Sequence, residues 1–231
     1  MKLFLTCEHA ESEIPLNCRN YFTDIRSIER HRIFDLGALH TAQTLSDTFK
    51  SVLTAGKVSR LITDLNRTPG HPGCISPYLK EASPEFKKNI LRKYHTTHWK
   101  KVTEFVRKNS RNDTVLHIAV HSFTPVWKGK KRPTDIGILY DPRRNAEKQI
   151  AIRWKAVLSQ SHPDLTVHLN RPYRGWTDSI TRSLRLLFGE KKYIGFELEM
   201  NQKFCGKNGN KMNRRINDAV LSSVQSVISG L

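Results

Sequence analysis

The chain has 231 residues, with 39 lysines and arginines against 21 aspartates and glutamates, a formal net charge of +18. Its length and 38% hydrophobic content fit one domain over residues 1–231, and no apolar run is long enough to span a bilayer. The basic residues are spread along the chain and form no recognisable nucleic-acid module, so the charge is read first as a solvated surface or as a field that attracts a small anionic substrate, with a basic nucleic-acid- or polyanion-binding protein on a hydrolase-like scaffold as the alternative.

The opening run Leu3–Thr6 reads as a buried strand. It lacks the small-residue cleavage pattern of a secretory signal. Cys7, Cys18, Cys74 and Cys205 show no close pairing and are expected as free thiols in a cytoplasmic protein. Apolar residues at helical spacing predict a helix over residues 30–51, and Val58–Asp64 is predicted as a strand before a turn-rich loop, residues 66–73. Ser83-Pro84-Glu85 is a helix start, with Ser as N-cap and Pro in the first turn, for a helix running through Arg107. Thr114–Val120 is a strand that ends at His121, and Ile136–Tyr140 is another. A helix over residues 146–159, a strand over 166–169, a helix over 177–187, a strand over 193–200 and a helix over 213–228 complete the chain. Strands alternating with helices imply an α/β fold with a mostly parallel sheet between helical layers, whose site lies at the carboxyl ends of the strands.

His9 and His121 each sit at a predicted strand end. Two neutral imidazoles with one carboxylate, Glu8 or Asp35, are a donor set for a divalent metal, with zinc first. Glu197 and Glu199 alternate onto one face of a strand, where two acids are costly unless that face meets a site. One of them is a candidate general base for a metal-activated water. Arg60, Asn66 and Arg67 form a donor cluster suited to a substrate carboxylate or a polarised carbonyl. Arg132, just before a strand, is a second anion contact, His95 is a substrate or orienting group, and the loop Asn170–Gly175, with Tyr173, is placed to close a pocket.

These blocks together resemble the N-formylglutamate amidohydrolase family. The resemblance rests on Cys7-Glu8-His9-Ala10, His31 with Asp35-Leu36-Gly37-Ala38, Arg60 with Asp64-Leu65-Asn66-Arg67, Tyr94-His95, His121-Ser122-Phe123, Arg132 with Asp135-Ile136-Gly137, Asn170 with Pro172-Tyr173, and Leu198-Glu199-Met200-Asn201-Gln202. It implies kinship with the zinc carboxypeptidase and aspartoacylase group, and hence a three-layer α/β/α fold around a mixed sheet. It also implies a hydrolase of a linear amide in an N-acyl amino acid such as N-formyl-L-glutamate. By the same resemblance, His9, His121 and Asp35 hold the metal and Glu199 is the general base, while Arg60, from its place in the donor cluster, is read as assisting the oxyanion. Asn66 and Arg67 then take the substrate carboxylate, with Arg132, His95 and Tyr173 as further substrate contacts. In the wider group a glutamate ligand follows the first histidine by three positions; here that position is Ser12.

Overall fold

The computed structural model of the chain describes residues 1–22, 24 and 27–230. Its strands are β1 (Lys2–Cys7), β2 (Val52–Ala55), β3 (Val115–Phe123), β4 (Val126–Trp127), β5 (Lys130–Lys131), β6 (Ile136–Leu139), β7 (Val167–Leu169) and β8 (Tyr193–Asn201). Its α-helices are α1 (Arg30–Ile33), α2 (Ala38–Phe49), α3 (Pro84–Ile90), α4 (Thr97–Asn109), α5 (Asn145–Ser161), α6 (Ile180–Leu187) and α7 (Arg214–Ser229). A π-helical turn, Leu91–Thr96, joins α3 to α4.

The main sheet has six strands in the order β2-β1-β3-β8-β6-β7. Every neighbouring pair is parallel except β8 with β6. Helices α2, α5 and α7 cover one face, and α4 and α6 cover the other. The expected three-layer α/β architecture with a mixed, mostly parallel sheet is what forms. Among the described residues no helix is long and apolar enough to cross a membrane.

The two faces of the sheet differ in chemistry. Side chains alternate along a strand, and the face under α2, α5 and α7 takes Leu5, Cys7, Ile118, Val120, Phe196, Leu198 and Met200 into one core with Trp154 and Ile216. Each large side chain fully buried there contributes about 1.5–3 kcal/mol of transfer free energy. The alternate positions carry Thr6 and Glu8 on or just beyond β1, His117 and His121 on β3, and Glu197 and Glu199 on β8, all buried. The β3–β8 register sets His121 beside Glu199 and Ala119 beside Glu197. The antiparallel β6 brings the residues that precede it, including Arg132, to the same end of the sheet, with Gly137 beside Glu199.

Three predicted elements fold otherwise. Residues 30–51 form two helices, because Gly37 adopts φ +73° and turns the chain before α2. A Cβ there would meet Cys205 Sγ at 2.9 Å, so glycine fits both the angle and the space. Val58–Asp64 is a loop, closed by an Ile62 N–H to Ser59 carbonyl bond of 2.9 Å and a Leu61 N–H to Ser59 Oγ bond of 3.1 Å. Its apolar residues Val58, Leu61 and Ile62 pack into a satellite cluster with Ile14, Cys18 and Leu79, outside the sheet. The strand in that region is the earlier β2. Finally, β3 runs on through Phe123, so His121 lies within a strand and not after it.

Candidate active site

Two imidazoles and three carboxylates converge where β1 and β3 open on their shared polar face. His9 follows β1 by two residues, and its carbonyl accepts the Asp35 N–H at 2.9 Å, which ties the α1–α2 turn to the strand end. Oδ2 of Asp35 then lies 3.3 Å from Nδ1 of His9 and 3.0 Å from Nδ1 of His121. The other ring nitrogens point away, each to its own acid. Nε2 of His9 is 2.7 Å from Oδ1 of Asp64. Nε2 of His121 is 3.1 Å from Oε2 of Glu8, an ion-pair contact out of line for a hydrogen bond. Arg60 spans the front, with Nη1 donating to Asp35 Oδ1 at 3.2 Å and Nη2 to Asp64 Oδ2 at 3.3 Å. The Ser122 N–H donates to Asp35 Oδ2 at 3.3 Å.

The charges are mutually supporting. Burial opposes ionisation of Asp35, but His9, His121 and Arg60 outweigh it and hold its carboxyl well below the usual range. Asp64 is likewise held low, against burial, by His9 and Arg60. Burial also opposes charge on the imidazoles. Asp35 and Glu8 nevertheless raise His121 well above its ordinary value, and Asp64 and Asp35 raise His9 despite burial and Arg60. Glu199 behaves in the opposite way: burial, helped by Asp35 and Glu197, pushes its carboxyl up to about 8. Its Oε2 is buried and has no hydrogen-bond partner.

The donor set suits a metal ion. His9, Asp35 and His121 are all buried and present ligand atoms within 4.8 Å of one another. The two Asp35-to-imidazole separations, 3.3 and 3.0 Å, are near the edge of about 3.3 Å in a tetrahedron of ligands about 2.0 Å from zinc. Metal-binding histidines also commonly hold their second nitrogen against a carboxylate, as Asp64 and Glu8 do here. Glu8 is therefore behind His121, and Asp35 is the acid that meets both rings.

A cavity of about 180 Å³ opens over this cluster and is lined by His9, Asp35, Arg60, Asn66, Arg67, His121, Tyr173, Glu197 and Glu199. Nine of the twelve residues singled out from the sequence line it; Glu8, His95 and Arg132 do not. His95 is buried, with Nε2 2.8 Å from the Arg67 carbonyl oxygen and its ring stacked on Trp99, so it orients Arg67. Arg132 donates from Nη1 to the Tyr173 hydroxyl at 3.1 Å and lies over the rings of Phe123, Trp127 and Tyr173. Asn66 accepts the Ile180 N–H at 3.0 Å, which fixes its amide at the start of α6. Asn66 and Arg67 lie in a loop and not at a strand end. Glu197 accepts from Thr181 at 2.6 Å, whereas Glu199 keeps a free oxygen.

The sequence reading passed over three contributors. Asp64 was legible only as an ion-pair partner for its arginines. Asp178, which accepts from Thr68 and contacts Arg67 at 3.8 Å, is distant in sequence and carries no motif. His98, whose Nε2 is 3.7 Å from Glu8, looked like one more helical surface histidine.

The family profile described as N-formylglutamate amidohydrolase matches residues 1–205. The chain belongs to the N-formylglutamate amidohydrolase family. Membership makes it a hydrolase acting on a linear amide. Two solved structures share its fold. A gene product of Agrobacterium tumefaciens superposes with a TM-score of 0.83 at 24% identity, covering 99% of this chain and 91% of that one. An N-formylglutamate amidohydrolase from Ralstonia eutropha JMP134 superposes with a TM-score of 0.72 at 16% identity, covering 100% and 95%. A search among curated proteins finds no match to this family member.

Proposed function

We propose that the chain is a single-domain, zinc-dependent hydrolase of the zinc-carboxypeptidase type that cleaves N-formyl-L-glutamate or a closely related N-acyl amino acid in the cytoplasm. The observation that carries this reading is Glu199: a buried carboxylate with an unpartnered oxygen, in the same cavity as the His9, Asp35 and His121 donors.

His9, His121 and Asp35 would hold the ion, which supplies Lewis acidity toward the acyl oxygen and acidifies water. Asp64 holds the His9 ring by a hydrogen bond and Glu8 stands against the His121 ring as an ion-pair partner, which leaves both Nδ1 atoms toward Asp35. Glu199, as the carboxylate, takes the proton of the attacking water and delivers it to the leaving nitrogen, using the unpartnered oxygen it keeps in the cavity. Arg60 is held by Asp35 and Asp64 through two nitrogens, and its remaining N–H groups line the cavity to meet developing charge on the acyl oxygen. Arg67 and Asn66 take the substrate carboxylate, with Tyr173, braced by Arg132, forming the opposite wall. The net charge of +18 supplies a field that draws in the anionic substrate.

Replacing Glu199 with Gln keeps shape and removes the base. Turnover on N-formyl-L-glutamate should fall by about two to four decades, while metal content, measured by elemental analysis, stays unchanged. A Glu199→Gln protein with wild-type turnover would overturn the assignment.

A further inference from the structure

We propose that the chain has a second ligand site, behind Glu8, which binds a small organic phosphate. A separate cavity of about 330 Å³ lies between β2 and the helical segment that contains the π turn. That volume falls in the range of about 300–1,000 Å³ typical of small-molecule sites. Leu53, Ala55 and Leu65 give it an apolar floor, and the exposed lysines Lys57, Lys93 and Lys101 line it. No carboxylate lines it, and among the described residues none of these three lysines makes an ion pair. Three lysines around one concavity give it a positive potential that favours an anion, most strongly at low ionic strength. Lysine meets phosphate as a point charge, and a phosphate ester carries about −1.5 to −2 at neutral pH, a better match to three cations than one carboxylate. The apolar floor calls for an organic body on that phosphate. Since β2 is the sheet edge, its outward backbone groups are left for a ligand to use.

The inner wall supplies the second observation. His98 lines the cavity and is 5% exposed, and its Nε2 is buried on the Glu8 side without a hydrogen-bond partner. That nitrogen lies 3.7 Å from Glu8 Oε1, and the other Glu8 oxygen is 3.1 Å from His121. The π turn contributes Lys93 and Tyr94 to the cavity, while the next residue, His95, holds the Arg67 carbonyl. π-Helical turns are frequent at functional sites. A ligand here would touch elements that hold one proposed metal ligand and one proposed substrate contact. This coupling rests on the amidohydrolase reading; the binding itself does not.

The test is calorimetric titration of the full chain with phenyl phosphate at low ionic strength, a measurement independent of any turnover. One molecule per chain is expected to bind. Binding should weaken by about tenfold or more, as loss of charge-assisted contacts does, in a Lys57→Ala/Lys93→Ala/Lys101→Ala variant. It should stay within about twofold of wild type in Lys148→Ala/Lys191→Ala/Lys192→Ala, which changes the net charge equally. Thr97→Glu, at an exposed position on the cavity wall, retains every lysine and should abolish binding even where the triple variant fails to fold. Absence of binding to the wild type, equal weakening in both triple variants, or loss of binding in Arg67→Ala with retention in Thr97→Glu would each overturn the proposal.

Discussion

Oδ1 of Asp64 lies 2.7 Å from Nε2 of His9, on the opposite side of the ring from Asp35. A carboxylate can only accept, so Nε2 carries a proton, and Nδ1 is the nitrogen that would give up its proton to bind an ion beside Asp35. Substituting Asp64 by Asn weakens that hold and frees the ring to turn. Zinc affinity, measured by competition with a chelator, should drop by about 10–100-fold. Unchanged affinity would remove Asp64 from the site.

In the proposed function, Arg67 bears on binding and not on the reaction. It is held in place by His95 beneath its carbonyl and by Asp178 beside its guanidinium. Arg67→Lys keeps the charge and loses the two-pronged geometry. KM for N-formyl-L-glutamate should rise by about tenfold or more, with kcat nearly unchanged. A loss confined to kcat would place Arg67 at the scissile bond instead.

His117 links the fold to pH. Its ring lies between Thr6 at 2.8 Å and the Tyr193 hydroxyl at 2.7 Å, and burial depresses its pKa to about 4. The unfolded chain binds this proton near pH 6.5, so stability is fully present above that value and is lost as pH falls toward 4. The span corresponds to about 3 kcal/mol. His117→Gln should flatten the pH dependence of urea denaturation between pH 6.5 and 4 relative to wild type, and an identical slope would show that His117 is already charged in the folded state.

Gly37 controls the placement of Asp35. A side chain at φ +73° is strained, and its Cβ would press on Cys205 and Met212. Gly37→Ala should cost about 1 kcal/mol or more in thermal or chemical denaturation. It should also lower zinc affinity, because the Asp35 N–H to His9 carbonyl bond lies in the same turn. Intact zinc affinity in a destabilised variant would separate the turn from the site.

Much of the sheet was readable because β1, β3 and β8 are apolar runs long enough to have no other use. β2 was not: Val52-Leu53-Thr54-Ala55 is four residues at the edge, following a helix whose periodicity masks it. Val58–Asp64 misled for the converse reason, since its apolar residues are buried, but in a cluster of loops. In the site, His9, His121 and Glu199 stood out because polar groups within or beside apolar strands need a reason. Glu8 and Asp35 were indistinguishable by type, and only the α1–α2 turn separates them. Asp178 and His98 reach the site through tertiary packing, which no local pattern records.

The division of the sheet into an apolar face and a face that carries the candidate site has a consequence for how the chain tolerates change. Because successive residues alternate sides, one inserted or deleted residue inside β3 would exchange Ile118 and Val120 for His117 and His121. It would bury imidazoles in the core and present methyl groups to the cavity. Core and candidate site thus share one reading frame along this strand, and a change in its length is tolerable only at the ends and in the loops beyond them.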